Sequence, residues 1–345
     1  MNSFIGENTC FIITDEAERF YFSGERVAEG VLVVSDCEKA YFTDMRYYES
    51  AVKKLGKKLK VYPETGDAIK KYIAEKGFVK IGLDYGKITV KEFSEYKKLK
   101  VKLFDCASAV AKMRSVKNDA EVENVKKACE ITEKAFYETL PLLKVGITES
   151  EFKKELVAAY LRYGAEKESF DTIVAFGKGS AIPHYETGDV KLTENCVVLV
   201  DTGCVYKGYI SDFTRTLYFG TPDKEFLSVY KAVLSANEIA ERKIKEGTSL
   251  KTADGFARRI LEKAGYGENF THSLGHGVGV EIHEYPYLSP RAKGKITEGN
   301  VFTVEPGAYF YGRFGVRIED TVILNSGKVQ RLFKDDKKLI VIKPR

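Results

Sequence analysis

Four acidic residues and one histidine carry the most distinctive chemistry in this sequence. Asp201 closes the apolar run Val197-Val198-Leu199-Val200, and Asp212 lies in the β-rich run Tyr209–Phe219 that follows. A hairpin centred on Tyr206-Lys207 places the two carboxylates directly opposite each other, with Cβ atoms about 4.5–5.5 Å apart. The arrangement recurs further along the chain. Centring a hairpin on Gly312 sets Glu305, at the end of Val301–Glu305, opposite Glu319 in Gly315–Leu324. Like charges facing each other inside an apolar sheet cost stability unless a cation lies between them. Carboxylate oxygens with one imidazole suit Mn2+, Co2+, Fe2+ or Zn2+, and a shared pair of carboxylates can bridge two such ions about 3.5–4 Å apart. Of the four histidines, His272, His276 and His283 fall close together and His184 stands apart. In Gly275-His276-Gly277-Val278-Gly279 the glycines let the backbone pass close to a ligand, so His276 is the metal donor that the sequence selects.

The other candidates have plain alternatives. His283, in Glu281-Ile282-His283-Glu284, reads equally as a surface strand residue, and His184, after Pro183, as a loop histidine. Arg317 lies two residues before Glu319 and so shares its strand face, where its simplest role is to balance the acids. Cys196 and Cys204 flank Asp201, but thiolates favour softer metals than carboxylates do, and both read as core thiols.

Strands must present these side chains and helices must cover the strands. A long helix capped by Asn118 carries Val122, Val125, Cys129, Thr132, Phe136 and Leu140 on one stripe. Lys144-Val145-Gly146 follows, then a helix from the capping box Thr148-x-x-Glu151 to Gly164. The same order returns as a helix from about Asp223 to Lys245, then Gly247, then a helix ending at Gly265. The paired glycines and the acid-x-Gly strand ends, Asp201-Thr202-Gly203 and Glu305-Pro306-Gly307, mark two α/β halves related by pseudo-symmetry. A site built from both halves would lie between them. Before this region, Phe11–Thr14, Gly30–Val34, Ala40–Thr43, Val79–Leu83 and Val101–Phe104 read as strands. Asp44–Leu55, Asp67–Lys76 and Thr89–Leu99 read as helices. With Lys112–Lys117 read as a polar connector, the chain divides into a small α/β domain over 1–111 and a larger domain over 112–345.

The composition limits the functional classes. A chain of 345 residues, 44% hydrophobic and 30% charged, has the apolar mass for two cores and is neither disordered nor collagen-like. Its 55 basic and 50 acidic residues give a net charge of +5 spread along the whole length, without the concentrated basic face that nucleic acid requires. No apolar run approaches the ~20 residues of a membrane span, and the first residues lack the order of a secretory signal. Six cysteines scattered without a C-x-x-C pair read as reduced thiols, so the sequence implies a soluble cytoplasmic protein. One glutamine, no tryptophan and abundant Lys and Glu hint at a thermophilic source.

The segments Asp201-Thr202-Gly203, Ser211-Asp212-Phe213-Thr214-Arg215-Thr216, His272-Ser273-Leu274-Gly275-His276-Gly277-Val278-Gly279, Glu305-Pro306-Gly307 and Val316-Arg317-Ile318-Glu319-Asp320 resemble those of the proline-specific metallopeptidases, prolidase (Xaa-Pro dipeptidase) and aminopeptidase P. The likeness spans roughly residues 112–345. Arg19–Gly24 and Phe42-Thr43-Asp44-Met45-Arg46-Tyr47 extend it into the leading domain. It implies an α/β (α+β) pita-bread catalytic domain with a pseudo-two-fold repeat, behind a creatinase-type N-terminal α/β domain.

The resemblance further implies two divalent metal ions, Mn2+ or Co2+ before Zn2+ or Fe2+. Their ligands would be Asp201, Asp212, His276, Glu305 and Glu319, with Asp212 and Glu319 bridging. His184 and His283 correspond to histidines that contact substrate and intermediate, and Arg317 to an arginine beside the active centre. His272 is not expected to bind metal. A bridging hydroxide would attack the carbonyl before proline, with Glu305 as proton acceptor and donor and His283 stabilising the oxyanion. In one respect the chain departs from the likeness: Tyr287 stands where some prolidases carry Arg, which favours aminopeptidase P over the dipeptidase. The likeness also implies an Xaa-Pro peptide substrate and a homodimer, with neither nucleic acid nor membrane as partner. Methionine aminopeptidase uses similar ligands but would not need the leading domain, and a non-catalytic binding protein on the same fold would have no use for converging acids.

Overall fold

The computed structural model describes residues 5–344. The chain forms two compact units that divide between Arg114 and Ser115. Among the described residues no helix is long and apolar enough to cross a membrane.

In the first unit six strands form one sheet in the order Lys60–Pro63, Lys39–Thr43, Val31–Val34, Thr9–Ile13, Lys80–Leu83, Lys102–Asp105. Alternation along the strands separates two cores: Phe11, Ile13, Leu32 and Val34 pack with one set of residues, Cys10, Ile12 and Val33 with another. The helices fall at Met45–Leu55, Ala68–Glu75 and Val90–Lys97, with Asp44 and Thr89 as side-chain caps. Two elements escape the sequence reading. Lys60–Pro63 is a short edge strand ending in proline, and Glu16–Ser23 is a two-turn helix capped by Asp15 and stopped by Gly24 at φ 75°. The polar connector read at Lys112–Lys117 is also revised. Helix Ala107–Ser115 runs into it because Cys106, Val110 and Met113 recur at helical spacing and pack on one core.

The second unit carries the repeat. Helices Asp119–Thr139 and Glu149–Arg162 are echoed by Lys224–Lys243 and Leu250–Lys263. Gly146 and Gly247, at φ 90° and 79°, donate their N–H groups to Leu192 O and Ile296 O, each at 2.9 Å. In the first half Cys196–Thr202 pairs with Phe213–Phe219; in the second Val301–Val304 pairs with Glu319–Asn325. The inner strands of the two halves then join through Phe213↔Asp320 and Thr214↔Glu319, making one nine-stranded sheet. That seam is where the acids meet.

The second hairpin has the register that the sequence implies. Pairs Val304↔Asp320 and Gly307↔Arg317 bracket Glu305 and Glu319 as opposite positions. The first hairpin does not. Asp201 faces Thr214, because the turn falls on Lys207-Gly208, both at positive φ (47° and 76°), as a type I′ turn demands. Moving the turn centre by one residue moves each partner by two, which keeps every side chain on its original face. The single strand read over Tyr209–Phe219 is also broken. Tyr209–Ile210 pairs with Cys204–Tyr206 in a separate three-stranded sheet.

Candidate metal centre

Each strand end delivers one donor. Asp201 lies in Cys196–Thr202, Asp212 just before Phe213–Phe219, Glu305 just after Val301–Val304, and Glu319 at the start of Glu319–Asn325. His276 sits mid-strand in Gly275–Gly277. Its two glycines are needed for close packing: a Cβ on Gly275 would lie 2.0 Å from Thr303 O, and one on Gly277 2.5 Å from Tyr285 O. All five donors line one cavity of about 450 Å³, together with His184, His272, His283 and Arg317.

Within it, ligand atoms of Asp212, His276 and Glu319 lie within 4.8 Å of one another. His276 Nε2 is 3.6 Å from Asp212 Oδ2 and 3.2 Å from Glu305 Oε1. Arg317 Nη2 donates to Asp201 Oδ2 at 2.5 Å, while Asp201 Oδ1 is buried and has no protein partner. The His276 and His283 rings meet edge to face with centroids 4.3 Å apart. His184 and His283 are exposed side chains in the cavity wall.

With only protein groups present, the acids cannot all ionise. Burial, then the neighbouring Asp201 carboxylate, drives the Asp212 carboxyl well above its usual range; burial and Asp212 do the same to Glu319. Burial opposes charge on Glu305 and His276 as well. Their mutual hydrogen bond and attraction prevail, bringing the Glu305 carboxyl down to about 2 and lifting the His276 imidazole to about 9. The next residue along the strand behaves differently. Asp320, on the opposite face from Glu319, is met by Arg215 at 2.7 Å, Arg331 at 3.1 Å and Lys337 at 3.2 Å, and stays ionised. The fold thus matches one buried acid with three cations and leaves its neighbour to face other acids.

The donor set therefore fits divalent cations. It offers carboxylates and one imidazole, includes a buried oxygen without a protein partner, and has no thiol among the lining residues.

Sequence reasoning passes over three groups that hold the donors. Thr214 Oγ1 donates to Glu319 Oε2 at 2.5 Å and accepts from Arg317 Nε. Thr303 Oγ1 donates to Glu305 Oε1 and accepts from His276 N, each at 3.1 Å. Both threonines lie two residues from an acid, and the period of a strand would have placed them on its face. Tyr309 OH accepts from Arg317 Nη1 at 2.7 Å and contacts His272 Nε2 at 2.9 Å. No spacing rule marks Tyr309, because its reach across the hairpin depends on its rotamer.

A buried ion pair underlies the His283 turn. Lys117 Nζ lies 2.6 Å from Glu284 Oε1, the two side chains being 2% and 5% exposed. Lys117→Met removes that ammonium from a buried carboxylate and is expected to cost about 3–5 kcal/mol, measured by denaturant unfolding.

Residues 123–326 match metallopeptidase family M24, and residues 8–116 match the creatinase/prolidase N-terminal domain. The chain belongs to metallopeptidase family M24. It is 35% identical to the Xaa-Pro dipeptidase of Pyrococcus furiosus, over 98% of this chain and 97% of that one. The solved Xaa-Pro dipeptidase from Bacillus anthracis superposes with a TM-score of 0.92 at 34% identity, covering 96% of this chain and 95% of that one. The X-Pro aminopeptidase from Thermotoga maritima gives 0.90 at 34% identity, with the same coverage. This M24 protein is a peptidase with the pita-bread domain and the leading creatinase-type domain shared by these proline-specific relatives. Family membership also implies divalent metal ions.

Proposed function

We propose that this peptidase hydrolyses the bond between the first residue of a peptide and a following proline, using two divalent cations held by Asp201, Asp212, His276, Glu305 and Glu319. The observation that carries this reading is the meeting of these five donors in one cavity, with Asp201 Oδ1 buried and without a protein partner. When bound, Mn2+ or Co2+, with Zn2+ or Fe2+ as weaker candidates, would supply Lewis acidity and lower the pKa of water towards neutrality.

The protein groups do the rest. Glu305, kept ionised beside His276, accepts a proton from the attacking water and returns it to the departing proline nitrogen. His283 donates to the oxygen on which negative charge develops, and His184, on a separate loop of the cavity wall, contacts the substrate. Arg317 holds Asp201 in orientation. Phe170, Ile173 and Ile282 give the cavity apolar surface for the proline ring, whose nitrogen has no N–H to satisfy. Among the described residues Arg317 is the one lysine or arginine in the lining, and its guanidinium is engaged by Asp201, Tyr309 and Thr214. A dipeptide's free carboxylate therefore meets no spare cation there, and a longer Xaa-Pro-Yaa peptide is the preferred substrate. The homodimer implied by the family likeness and the cytoplasmic location read from the sequence belong to the same proposal; light scattering checks the first.

The test is to compare Xaa-Pro, Xaa-Pro-Yaa and Xaa-Ala-Yaa with Mn2+, Co2+ and Zn2+ added to chelator-treated protein. Release of the first residue from Xaa-Pro-Yaa alone supports the reading, and failure on both proline peptides rejects it.

Protons held by Asp212, Glu319 and His276 must leave when cations bind. Because these groups titrate above their usual values, the protonated cluster competes with metal at low pH, and metal affinity is expected to rise as the pH approaches about 9. Calorimetric titrations in buffers of different ionisation enthalpy should show net proton release; its absence would contradict the assigned ligands.

A further inference from the structure

The loop carrying His184 is held from below by a carboxylate with no assigned role. Glu149 opens helix Glu149–Arg162, directly after the N-cap Thr148, and is 0% exposed. An acid in a first turn ordinarily serves its own helix end. This one reaches away: Oε1 accepts from Phe176 N at 2.7 Å, and Oε2 accepts from Tyr185 OH at 3.0 Å and Gly188 N at 3.1 Å. Phe176 ends strand Ile173–Phe176, and Gly188 lies beyond His184, so one carboxylate grips the chain on both sides of that histidine and also at its neighbour.

The adjoining residue reinforces the grip. Ser150 N and Oγ both donate to Gly188 O, at 2.9 Å and 2.7 Å. Gly179 allows the Tyr185 ring to lie against the loop backbone, since a Cβ there would come within 2.9 Å of it. A buried carboxylate is costly to desolvate, and an apolar side chain of similar volume would often serve stability as well or better. Three donors on one acid make sense where a loop must hold one position.

We propose that Glu149 is a positioning residue that fixes His184 in the wall of the metal cavity by accepting from Phe176 N, Tyr185 OH and Gly188 N together. This rests on the proposed substrate-contacting role of His184. Glu149→Gln replaces one acceptor oxygen with an NH2 group, which cannot accept from Gly188 N–H. The Gln variant should bind metal like the parent and yet lose about ten-fold in kcat/KM, the scale of a small misplacement.

A double-mutant cycle with His184→Ala decides between positioning and general damage. If Glu149 acts through His184, the Gln substitution costs about ten-fold in the parent and less than two-fold in the His184→Ala background. Equal cost in both backgrounds overturns the proposal. The chain has only four histidines, so imidazole Hε1 signals can be assigned by substitution. The His184 resonance should shift in the Gln variant while that of His283 stays in place; an unmoved His184 signal also overturns it. Should Glu149→Gln not fold, Tyr185→Phe removes one of the three bonds and is expected to give a smaller effect with the same non-additivity. If His184→Ala alone leaves kcat/KM unchanged, the substrate role of His184 fails, while the NMR comparison still judges whether Glu149 places it.

Discussion

Glu319→Gln is expected to empty the centre of at least one of its cations and to lower kcat/KM by ~10³-fold or more, since the substitution removes charge from a ligand proposed to be shared by two ions. Glu319 is held on the seam between the two halves, opposite Thr214 across the strands and hydrogen-bonded to its hydroxyl. Glutamine keeps the shape and the bond to Thr214 but cannot supply two anionic oxygens. Elemental analysis of the purified variant checks the first effect and peptide hydrolysis the second. Full metal content with full activity would remove Glu319 from the ligand set. The fold should be preserved, because without cations burial and Asp212 favour the neutral acid at Glu319, which the amide matches in shape and charge.

Glu305→Gln should act differently. Its carboxylate pairs with His276 and receives the Thr303 hydroxyl, and burial would favour the neutral acid were those partners absent. The amide retains one coordinating oxygen but cannot take up a proton. Loss in kcat is therefore expected to be ~10²–10⁴-fold, the range for removal of a general base, with more metal retained than in Glu319→Gln. Steady-state kinetics together with metal content on both variants separates a ligand that also moves protons from one that only coordinates. Parallel losses in both measurements would leave Glu305 a ligand alone.

The two hairpins show how far the site was legible in the sequence and where legibility ended. Glu305 and Glu319 lie opposite each other as the count around Gly312 implies, because that hairpin keeps one register through Val304↔Asp320 and Gly307↔Arg317. Around Asp201 the count slips, because Lys207 adopts a positive φ that residue identity does not advertise. The acids still converge, since a two-residue shift preserves strand parity. The halves, their paired helices and the glycines that end them were legible from repetition alone. Helix Glu16–Ser23 and strand Lys60–Pro63 were not; each is too short to build a periodic signal of its own. The Glu149 and Tyr309 contacts depend on side-chain reach between distant segments, which no local spacing encodes.

On the face of the strand turned away from the cavity, Asp320, Asp335 and Glu241 offset Arg215, Arg331 and Lys337 in one network of ion pairs. That network keeps its ion pairs whatever occupies the cavity, and the cavity acids can take up protons when the ions leave. Chelation should silence the enzyme without denaturing it, and returning the ions should bring back full turnover, so inactivation by metal loss is a recoverable state rather than damage.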